Sequence, residues 1–306
     1  MAKPIRSPLA PSRPAPTIVL SHASLEKLFT AFHVHPQKDG LVLFALRGAL
    51  PAKVAAGWAR SVQVRNVPVD YVHMRCTLGI WDRAGQRVFA APGSTVPYRD
   101  NVEKAAARKG RTKGKGTNQL EPGFYTDLTK GEHLQGKLNG HEALRQTGYR
   151  LYRRSLSGVP YRDSGRGKDV APLFYGNPYD NLHCGWNENG KGPGFSSAGC
   201  LVVAGMPHCP RREDQTANLG PWKIFHDLIY AVDQKRFPLL LLPAEATAAA
   251  LAAAEKPSSR GGSVRLVYGS EGEEVKALQR RLAAQGDYRG RATGLLDART
   301  YKAWRA

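Results

Sequence analysis

Short runs of apolar residues dominate the first 243 residues of the chain, and their spacing is typical of β-strands. Alternating or β-branched apolar positions predict strands at residues 71–81, 86–90, 124–126, 149–152 and 239–242. The sequence Asp82-Arg-Ala-Gly85 lies between the first two of these strands and predicts a hairpin turn. The pattern therefore indicates a mainly β region.

Apolar residues recur at helical spacing in fewer places within this region. Residues 24–29 can begin one helix. Residues 220–230 predict another, because Trp222, Phe225 and Ile229 recur every three to four positions and form one apolar face. We therefore expect one or two helices beside the strands.

The last part of the chain has the signals of a capped helix. Ser270 can cap this helix with Glu273 three residues later, and Gly286 can end it. Its apolar stripe consists of Val275, Leu278 and Leu282. These signals predict a small all-α C-terminal domain.

Composition divides the chain into four parts. Residues 1–20 are rich in proline and predict a flexible lead, and residues 21–243 form the main domain. Residues 244–262 combine an alanine-rich helix with a Pro/Ser/Gly linker, and residues 263–306 hold the C-terminal domain. The one apolar run of the lead, Thr17-Ile-Val-Leu20, is too short for a secretory signal, so no recognisable signal peptide is expected.

The chain carries a large excess of positive charge, which favours an anionic partner. It has 45 Lys and Arg against 25 Asp and Glu, a formal net charge of +20. Such a surplus suits nucleic acid, a phospholipid surface or an anionic cell envelope. The basic segment at residues 103–116 has neither P-loop order nor interleaved aromatic residues, so we predict a solvated loop and no specific nucleic-acid partner. No apolar run of about 18 residues occurs, so no transmembrane segment is expected.

Four cysteines are too few for a disulfide framework in a chain of this length, and no CxxC pair occurs. Cys200 follows the small residues Ser197-Ala198-Gly199, which can place its thiol on a tight turn. His183 lies 17 positions upstream and can meet this thiol if the two lie on adjacent strands. An imidazole that takes the thiol proton leaves a nucleophilic thiolate. The alternative is an inert buried cysteine, as expected for Cys76 in its predicted strand.

This arrangement resembles the L,D-transpeptidase (YkuD-type) family, whose signature is a histidine followed later in the chain by the tetrad [S/T]-H-G-C. His183 aligns with the histidine, and Ser197-Ala198-Gly199-Cys200 aligns with the tetrad. Further stretches match in order at residues 78–89, 91–97, 121–125 and 220–243. The resemblance covers about residues 71–243 and implies a YkuD-like β-sandwich with one or two helices.

The resemblance also implies a role for each matching residue. Cys200 would be the nucleophile and His183 the general base, oriented by the main-chain carbonyl of Cys184. The backbone N–H groups of Gly199 and Cys200 would stabilise the oxyanion. Residues expected to contact the substrate are Ser196, Ser197 and Trp186. The family attacks the amide between the third stem-peptide residue and the following D-alanine, and an amine or water resolves the thioester without a cofactor or metal.

Two positions depart from the family pattern. The histidine of the tetrad is Ala198 here, so any side-chain role is lost while the backbone remains. Val202 stands where the family usually has Arg or Asn, so a substrate contact of the family is missing. Arg211 and Arg212 are the candidates to replace that contact.

The C-terminal segment is similar to the peptidoglycan-binding domain pattern G-x-x-G-x-x-V-x-x-L-Q-x-x-L-x-x-x-G. Residues 269–286 match this pattern and residues 294–304 continue it, whereas the family pattern extends to a third helix. A segment this short is small for independent stability. It is expected to be an incomplete module, to pack on the catalytic domain or to bind weakly, and an unrelated pair of amphipathic helices is the alternative.

Together these features predict a cysteine enzyme of the L,D-transpeptidase or L,D-carboxypeptidase type that acts on bacterial peptidoglycan in the periplasm or cell wall. Without a signal peptide, it is expected to use a non-classical or injected export route, as an antibacterial effector or a phage-borne lytic factor. Its partners would be peptidoglycan and a secretion apparatus or an immunity protein. Two alternatives stay open, a non-catalytic wall-binding protein and a zinc-dependent wall hydrolase. The zinc ligands would come from His183, Cys184, Cys200, His208 and Cys209.

Overall fold

The computed structural model describes residues 17–37, 39–108, 116–155, 172–255 and 265–305, and its secondary structure is mainly β. The strands are β1 (Thr17–Ser21), β2 (Leu41–Arg47), β3 (Ala49–Pro51), β4 (Ser61–Asn66), β5 (Cys76–Asp82), β6 (Arg87–Ser94), β7 (Thr117–Leu120), β8 (Gly123–His133), β9 (His141–Gln146), β10 (Arg150–Ser155), β11 (Leu173–Gly176), β12 (Leu182–Cys184), β13 (Leu201–Val203) and β14 (Arg236–Pro243). The helices are α1 (His22–Ala31), α2 (Arg99–Ala106), α3 (Gly220–Tyr230), α4 (Ala244–Glu255), α5 (Glu273–Ala284) and α6 (Ala298–Arg305).

An eight-stranded closed barrel forms the centre of the fold. Its strand order is β12-β13-β6-β5-β2-β14-β8-β9. Most neighbouring strands are antiparallel, but β2 pairs with β14 and β12 pairs with β13 in parallel. Closure leaves the barrel without a free sheet edge.

The barrel wall is buried on both faces, and strand β2 shows why its sequence is apolar throughout. Leu41, Leu43 and Ala45 belong to one hydrophobic cluster, which also contains the apolar face of α3. Phe44 and Leu46 belong to a second cluster, which α1 and α4 cover. A strand with both faces buried has a continuous apolar run instead of an alternation.

Two three-stranded sheets flank the barrel. The first has the order β1-β4-β3 and the second the order β11-β10-β7. The first sheet and α1 account for much of residues 21–70, for which the sequence predicted no role. It also begins inside the predicted flexible lead, because Thr17–Ser21 pair with β4 and bury Ile18 and Leu20. Residues 1–16 of that lead lie outside the described residues.

Several elements lie where the hydrophobic pattern predicts them. The hairpin predicted around residues 82–85 is confirmed as β5–β6, in which Cys76 pairs with Gly93 and Asp82 with Arg87. The predicted helices at residues 220–230 and 244–254 are confirmed as α3 and α4.

The expected fold class is wrong in its architecture. The strands close into one barrel instead of two packed sheets, and the described part of residues 21–243 contains three helices, α1 to α3, where one or two were expected. The parallel pair of β2 and β14 joins segments far apart in the chain, such as Leu43 and Leu239. Apolar periodicity shows that a strand is buried, but it does not show which strand lies beside it.

The C-terminal helices do not form a separate all-α domain. Leu278 and Leu282 of α5 share a hydrophobic cluster with Leu151 of β10. The Tyr301 hydroxyl of α6 donates a hydrogen bond of 2.9 Å to the buried carboxylate of Glu121. A segment of this size gains its stability from such packing, because two short helices alone bury too little apolar area.

The predicted cap of α5 is also wrong, although the apolar stripe and the end of the helix are confirmed. Gly272 is the N-cap residue, and no side chain caps the helix. Ser270 is buried, and its hydroxyl donates to the main-chain carbonyl of Phe32 at 2.7 Å. This serine therefore joins the segment to the end of α1 instead of capping α5.

Two further expectations concern the surface of the molecule. In the described ranges no helix has the length and apolar character to cross a membrane. The basic segment at residues 103–116 begins inside helix α2, and its residues 109–115 lie outside the described part of the chain.

Candidate active site

The short parallel pair β12–β13 brings the predicted histidine and cysteine together. His183 lies in the middle of β12 and pairs with Val202, and Cys200 directly precedes β13. A ring nitrogen of His183 and the Cys200 Sγ atom lie within 4.8 Å of each other. Both residues are buried, but Cys200 keeps 8% of its surface exposed.

A third residue of this cluster, His133, has no counterpart in the sequence motifs. It ends β8 and pairs with His141 of β9 across a hairpin. Its ring stacks on that of His183, with centroids 3.9 Å apart and an angle of 10° between the planes. The sequence signal for this pair is weak, because it consists of two histidines on either side of a Gly-containing turn.

Main-chain carbonyls fix the protons on two of the three imidazoles. The Nδ1 atom of His183 lies 2.7 Å from the Cys184 carbonyl oxygen, which can only accept, so Nδ1 carries the proton. Nδ1 of His141 donates in the same way to the Asn139 carbonyl at 2.8 Å. His183 therefore presents a bare Nε2 as its basic atom, and the bare Nε2 of His141 lies 3.4 Å from the His183 Nδ1.

Burial keeps both partners of the His183–Cys200 pair neutral. Desolvation lowers the pKa of His183 well below its ordinary value, and the neighbouring His133 and His141 lower it further. Desolvation also raises the pKa of Cys200 above that of a free thiol, and the Asp180 carboxylate adds to this effect. This environment therefore does not favour a resting thiolate. The resting state is a thiol beside a neutral imidazole.

Asp180 lies behind the turn that carries the thiol. An added Cβ atom at Gly199, where φ is +145°, would lie 2.6 Å from the Asp180 Oδ1 atom. The tetrad glycine is therefore required for this close approach. Burial raises the pKa of Asp180 to about 7, while Arg150 and Asn118 act in the opposite direction.

The remaining predicted site residues have different environments. The N–H of Gly199 is an expected oxyanion donor, and it donates to the Ser197 hydroxyl at 3.2 Å. That hydroxyl in turn donates to the Cys200 carbonyl at 2.7 Å. Ser197 is buried and holds the turn together, whereas Ser196 is exposed. Trp186 is half-buried and lies edge-on to His141.

The residues at the two positions that depart from the family pattern also have clear places. Val202 is buried in a small apolar cluster that includes Cys200. The Arg212 guanidinium lies 5.6 Å from the centre of the Trp186 ring. Arg211 pairs with Glu132, the neighbour of His133, at 2.7 Å. Both arginines therefore lie beside the histidine cluster.

The zinc ligand set expected from the sequence is not assembled in the described residues. Among the described residues, one group of three potential metal ligands lies close together, and it consists of His133, His183 and Cys200. His208 is exposed on a separate loop, and Cys184 and Cys209 are buried free thiols.

The group of three does not fit a zinc ion as it stands. A zinc ion lies in the plane of each histidine that binds it, about 2.0–2.1 Å from the nitrogen. The planes of the His133 and His183 rings are nearly parallel and one above the other, so no point lies in both. The Nδ1 atom of His133 also faces the Asn181 amide nitrogen at 3.0 Å. One ring would have to turn before both could bind a metal.

Comparisons of the chain with protein-family models, with curated proteins and with solved structures give no match. The function is therefore inferred from the chemistry of the site and from the sequence motifs.

Proposed function

We propose that this chain is a cysteine-dependent peptidoglycan enzyme of the L,D-transpeptidase or L,D-carboxypeptidase type. One observation carries the proposal. The imidazole of His183 donates from Nδ1 to the Cys184 carbonyl and so keeps Nε2 bare, and one of its ring nitrogens lies within 4.8 Å of the Cys200 Sγ atom. This is the arrangement in which a general base activates a nucleophile.

The reaction begins with the neutral thiol, because burial disfavours a free thiolate. His183 takes the thiol proton on Nε2 as Sγ attacks the carbonyl carbon of the stem-peptide amide, and the carbonyl oxygen becomes an oxyanion. Collapse of this intermediate breaks the C–N bond, and the proton on His183 passes to the departing D-alanine amine. A thioester on Cys200 remains.

The second half of the reaction resolves the thioester. An acceptor amine or water attacks the thioester carbonyl and gives its proton to His183. The C–S bond breaks, and the proton returns to the sulfur. An amine yields a cross-link or an exchanged residue, whereas water yields a shortened stem peptide.

Two features support a wall substrate over other amides. The net charge of +20 suits an anionic cell envelope. The C-terminal segment matches the G-x-x-G…L-Q pattern of peptidoglycan-binding domains. Ser196, Trp186 and Arg212 are the residues that we expect to contact the stem peptide.

The test compares Cys200→Ala with Cys76→Ala. Cys76 is a buried cysteine on β5, and strands β6 and β13 of the barrel lie between it and His183 on β12. Purified variants are incubated with soluble muropeptides, and the products are read by mass spectrometry. We expect Cys200→Ala to abolish turnover and Cys76→Ala to retain it. Turnover that survives in Cys200→Ala and is lost with a chelator would favour a zinc hydrolase. No turnover in any form, with binding to sacculi retained, would favour a wall-binding protein.

A wall-directed enzyme of this kind can serve as an injected antibacterial effector or a phage-borne lytic factor. Its partners would then include a secretion apparatus or an immunity protein. Expression with a fused export signal should be toxic to bacteria, and the same fusion with Cys200→Ala should not. Toxicity of the form without an export signal would point to a target in the cytoplasm instead.

A further inference from the structure

We propose that His133 is a further catalytic residue, whose Nε2–H group donates a hydrogen bond to the carbonyl oxygen under attack by Cys200. This inference rests on the proposed cysteine mechanism and adds a donor that the family motif does not supply. It follows from the position of His133 and from its hydrogen bond with Asn181. It also follows from the hydrogen bond that already engages the Gly199 N–H, an expected oxyanion donor.

The hydrogen bonds of Asn181 determine where the proton of His133 lies. The backbone N–H of Gln146 donates to Asn181 Oδ1 at 3.0 Å, so the other side-chain atom of Asn181 is its amide nitrogen. This nitrogen lies 3.0 Å from His133 Nδ1 and donates to it. A neutral imidazole that accepts at Nδ1 carries its proton on Nε2. His133 is therefore an N–H donor at Nε2, opposite in tautomer to His183.

The position of His133 suits a group that meets the substrate. Its ring covers one face of the His183 ring, with the centroids 3.9 Å apart. A ring nitrogen of His133 lies within 4.8 Å of the Cys200 Sγ atom. His141 and His183 are both 1% exposed, whereas His133 is only partly buried. Of the three imidazoles, His133 is the most exposed to an acyl group that approaches the thiol.

The site gains from such a donor because one of the two expected donors is occupied. The Gly199 N–H already donates to the Ser197 hydroxyl. The tetrad position that carries a histidine in the family is Ala198, which has no polar side chain. A side-chain N–H from a neighbouring strand can stabilise the oxyanion in their place.

The charge state of His133 is consistent with this role. Burial and the neighbouring His141 together lower the pKa of His133 to about 4, so His133 is neutral at pH 7. A neutral donor stabilises the oxyanion without placing a second positive charge beside the protonated His183.

The experiment compares His133→Phe with His133→Gln. Phenylalanine keeps an aromatic ring against His183 but has no donor, whereas glutamine places an amide N–H near the position of Nε2. We expect kcat on muropeptides to fall about 10²–10³-fold in His133→Phe, the usual effect of losing one oxyanion donor, with KM nearly unchanged. His133→Gln should recover at least about tenfold of that loss.

Alkylation of Cys200 by iodoacetamide separates this role from activation of the thiol. Attack on iodoacetamide occurs at a saturated carbon and forms no oxyanion, so both variants should be alkylated at the rate of the unmodified chain. The proposal is overturned if His133→Phe keeps its kcat, if His133→Gln loses as much as His133→Phe, or if alkylation slows together with turnover.

A measurement on the unmodified chain tests the same point without relying on the variants. Long-range ¹H–¹⁵N spectra of the imidazoles should show His133 as the Nε2–H tautomer at pH 7, and the Nδ1–H tautomer would overturn the proposal. Cys200→Ala is assayed beside these variants. Turnover in Cys200→Ala would remove the proposed function itself. An inactive Cys200→Ala with a fully active His133→Phe would remove only the role of His133.

Discussion

Cys200 and Gln279 both belong to sequence motifs, but their surroundings differ in kind. Gln279 is fully buried in the C-terminal segment, and both ends of its side-chain amide are satisfied inside that segment. Its nitrogen lies within hydrogen-bond distance of Thr293, Leu295 and Thr300, and its oxygen accepts from the Gly294 N–H. The glutamine of the L-Q pattern therefore organises the loop between α5 and α6.

Cys200 lies in a less complete environment. Its thiol is slightly open to solvent, and it is adjacent to an imidazole with a bare nitrogen. A motif residue such as Gln279 can therefore indicate how a segment folds, whereas a motif residue such as Cys200 can indicate the chemistry of a site. The match at Gln279 is evidence about local structure, and wall binding by that segment is a separate prediction.

The largest expected effect is at the proposed active site around Cys200. His183→Ala should reduce turnover of muropeptides by roughly 10²–10⁴-fold, because a positioned general base is lost. His208→Ala, an exposed histidine on a different loop, is the control and should change turnover little. Because burial holds the pKa of His183 well below its ordinary value, the base stays unprotonated at pH 6.5, where an ordinary histidine is half protonated. A rate that already halves near pH 6.5 would contradict this environment.

The stability of the fold should depend on pH through the buried carboxyl group of Asp180. Its pKa of about 7 in the fold exceeds the ordinary value of 3.8, so the folded state binds the proton more tightly than the unfolded state. Stability should then decrease as the pH rises from about 4 to 7, by up to roughly 4 kcal/mol at about 1.4 kcal/mol per pKa unit.

Asp180→Asn should remove this decrease in urea denaturation, and Asp287→Asn, at an exposed site, should leave it in place. Removing the Asp180 charge should also lower the pKa of the Cys200 thiol and increase the rate of its alkylation near pH 8. Parallel stability curves for the unmodified chain and Asp180→Asn would show that Asp180 is ionised in the fold at all these pH values.

In the C-terminal segment, Gln279→Leu should destabilise the protein without changing the turnover of muropeptides. The variant leaves the buried Gly294 N–H without its partner, at a cost of about 1–3 kcal/mol. Urea denaturation should detect this loss, while kcat on soluble muropeptides should stay within about twofold. Gln285→Leu, at an exposed position after α5, is the control. A loss of turnover at unchanged stability would assign Gln279 to the chemistry.

The smallest expected effect is at Ala198. Its side chain is exposed and its carbonyl accepts from the Asn118 N–H at 3.1 Å, so the backbone of this position is fixed by the turn. Restoring the histidine of the family with Ala198→His should change kcat by less than about fivefold. A gain of two orders of magnitude would show that the missing side chain is a catalytic group, which would weaken the role assigned to His133.

The sequence predicted the elements whose evidence is local. The hairpin β5–β6 and the helices α3 and α4 have apolar periodicity or turn residues of their own. The pairing of His183 with Cys200 came from a motif, because β12 and β13 are three residues each and too short to show a period.

The rest depends on contacts between distant segments. His133 joins the site only because β8 pairs with β9 and β9 pairs with β12. Its tautomer depends on Asn181, and the neutral state of the thiol depends on how deeply the turn is buried. None of these follows from the spacing of residues along the chain.

The parallel pair of β2 and β14 has a consequence for how the protein must be made or delivered. A chain that emerges in order from a ribosome or a translocation pore presents Leu41–Arg47 about 200 residues before the strand that closes the barrel beside it. During that interval a fully apolar strand has an open edge, which favours pairing with other chains. We therefore expect slow, late folding that begins only after residue 243 has emerged, and a need for a chaperone that holds β2 until then.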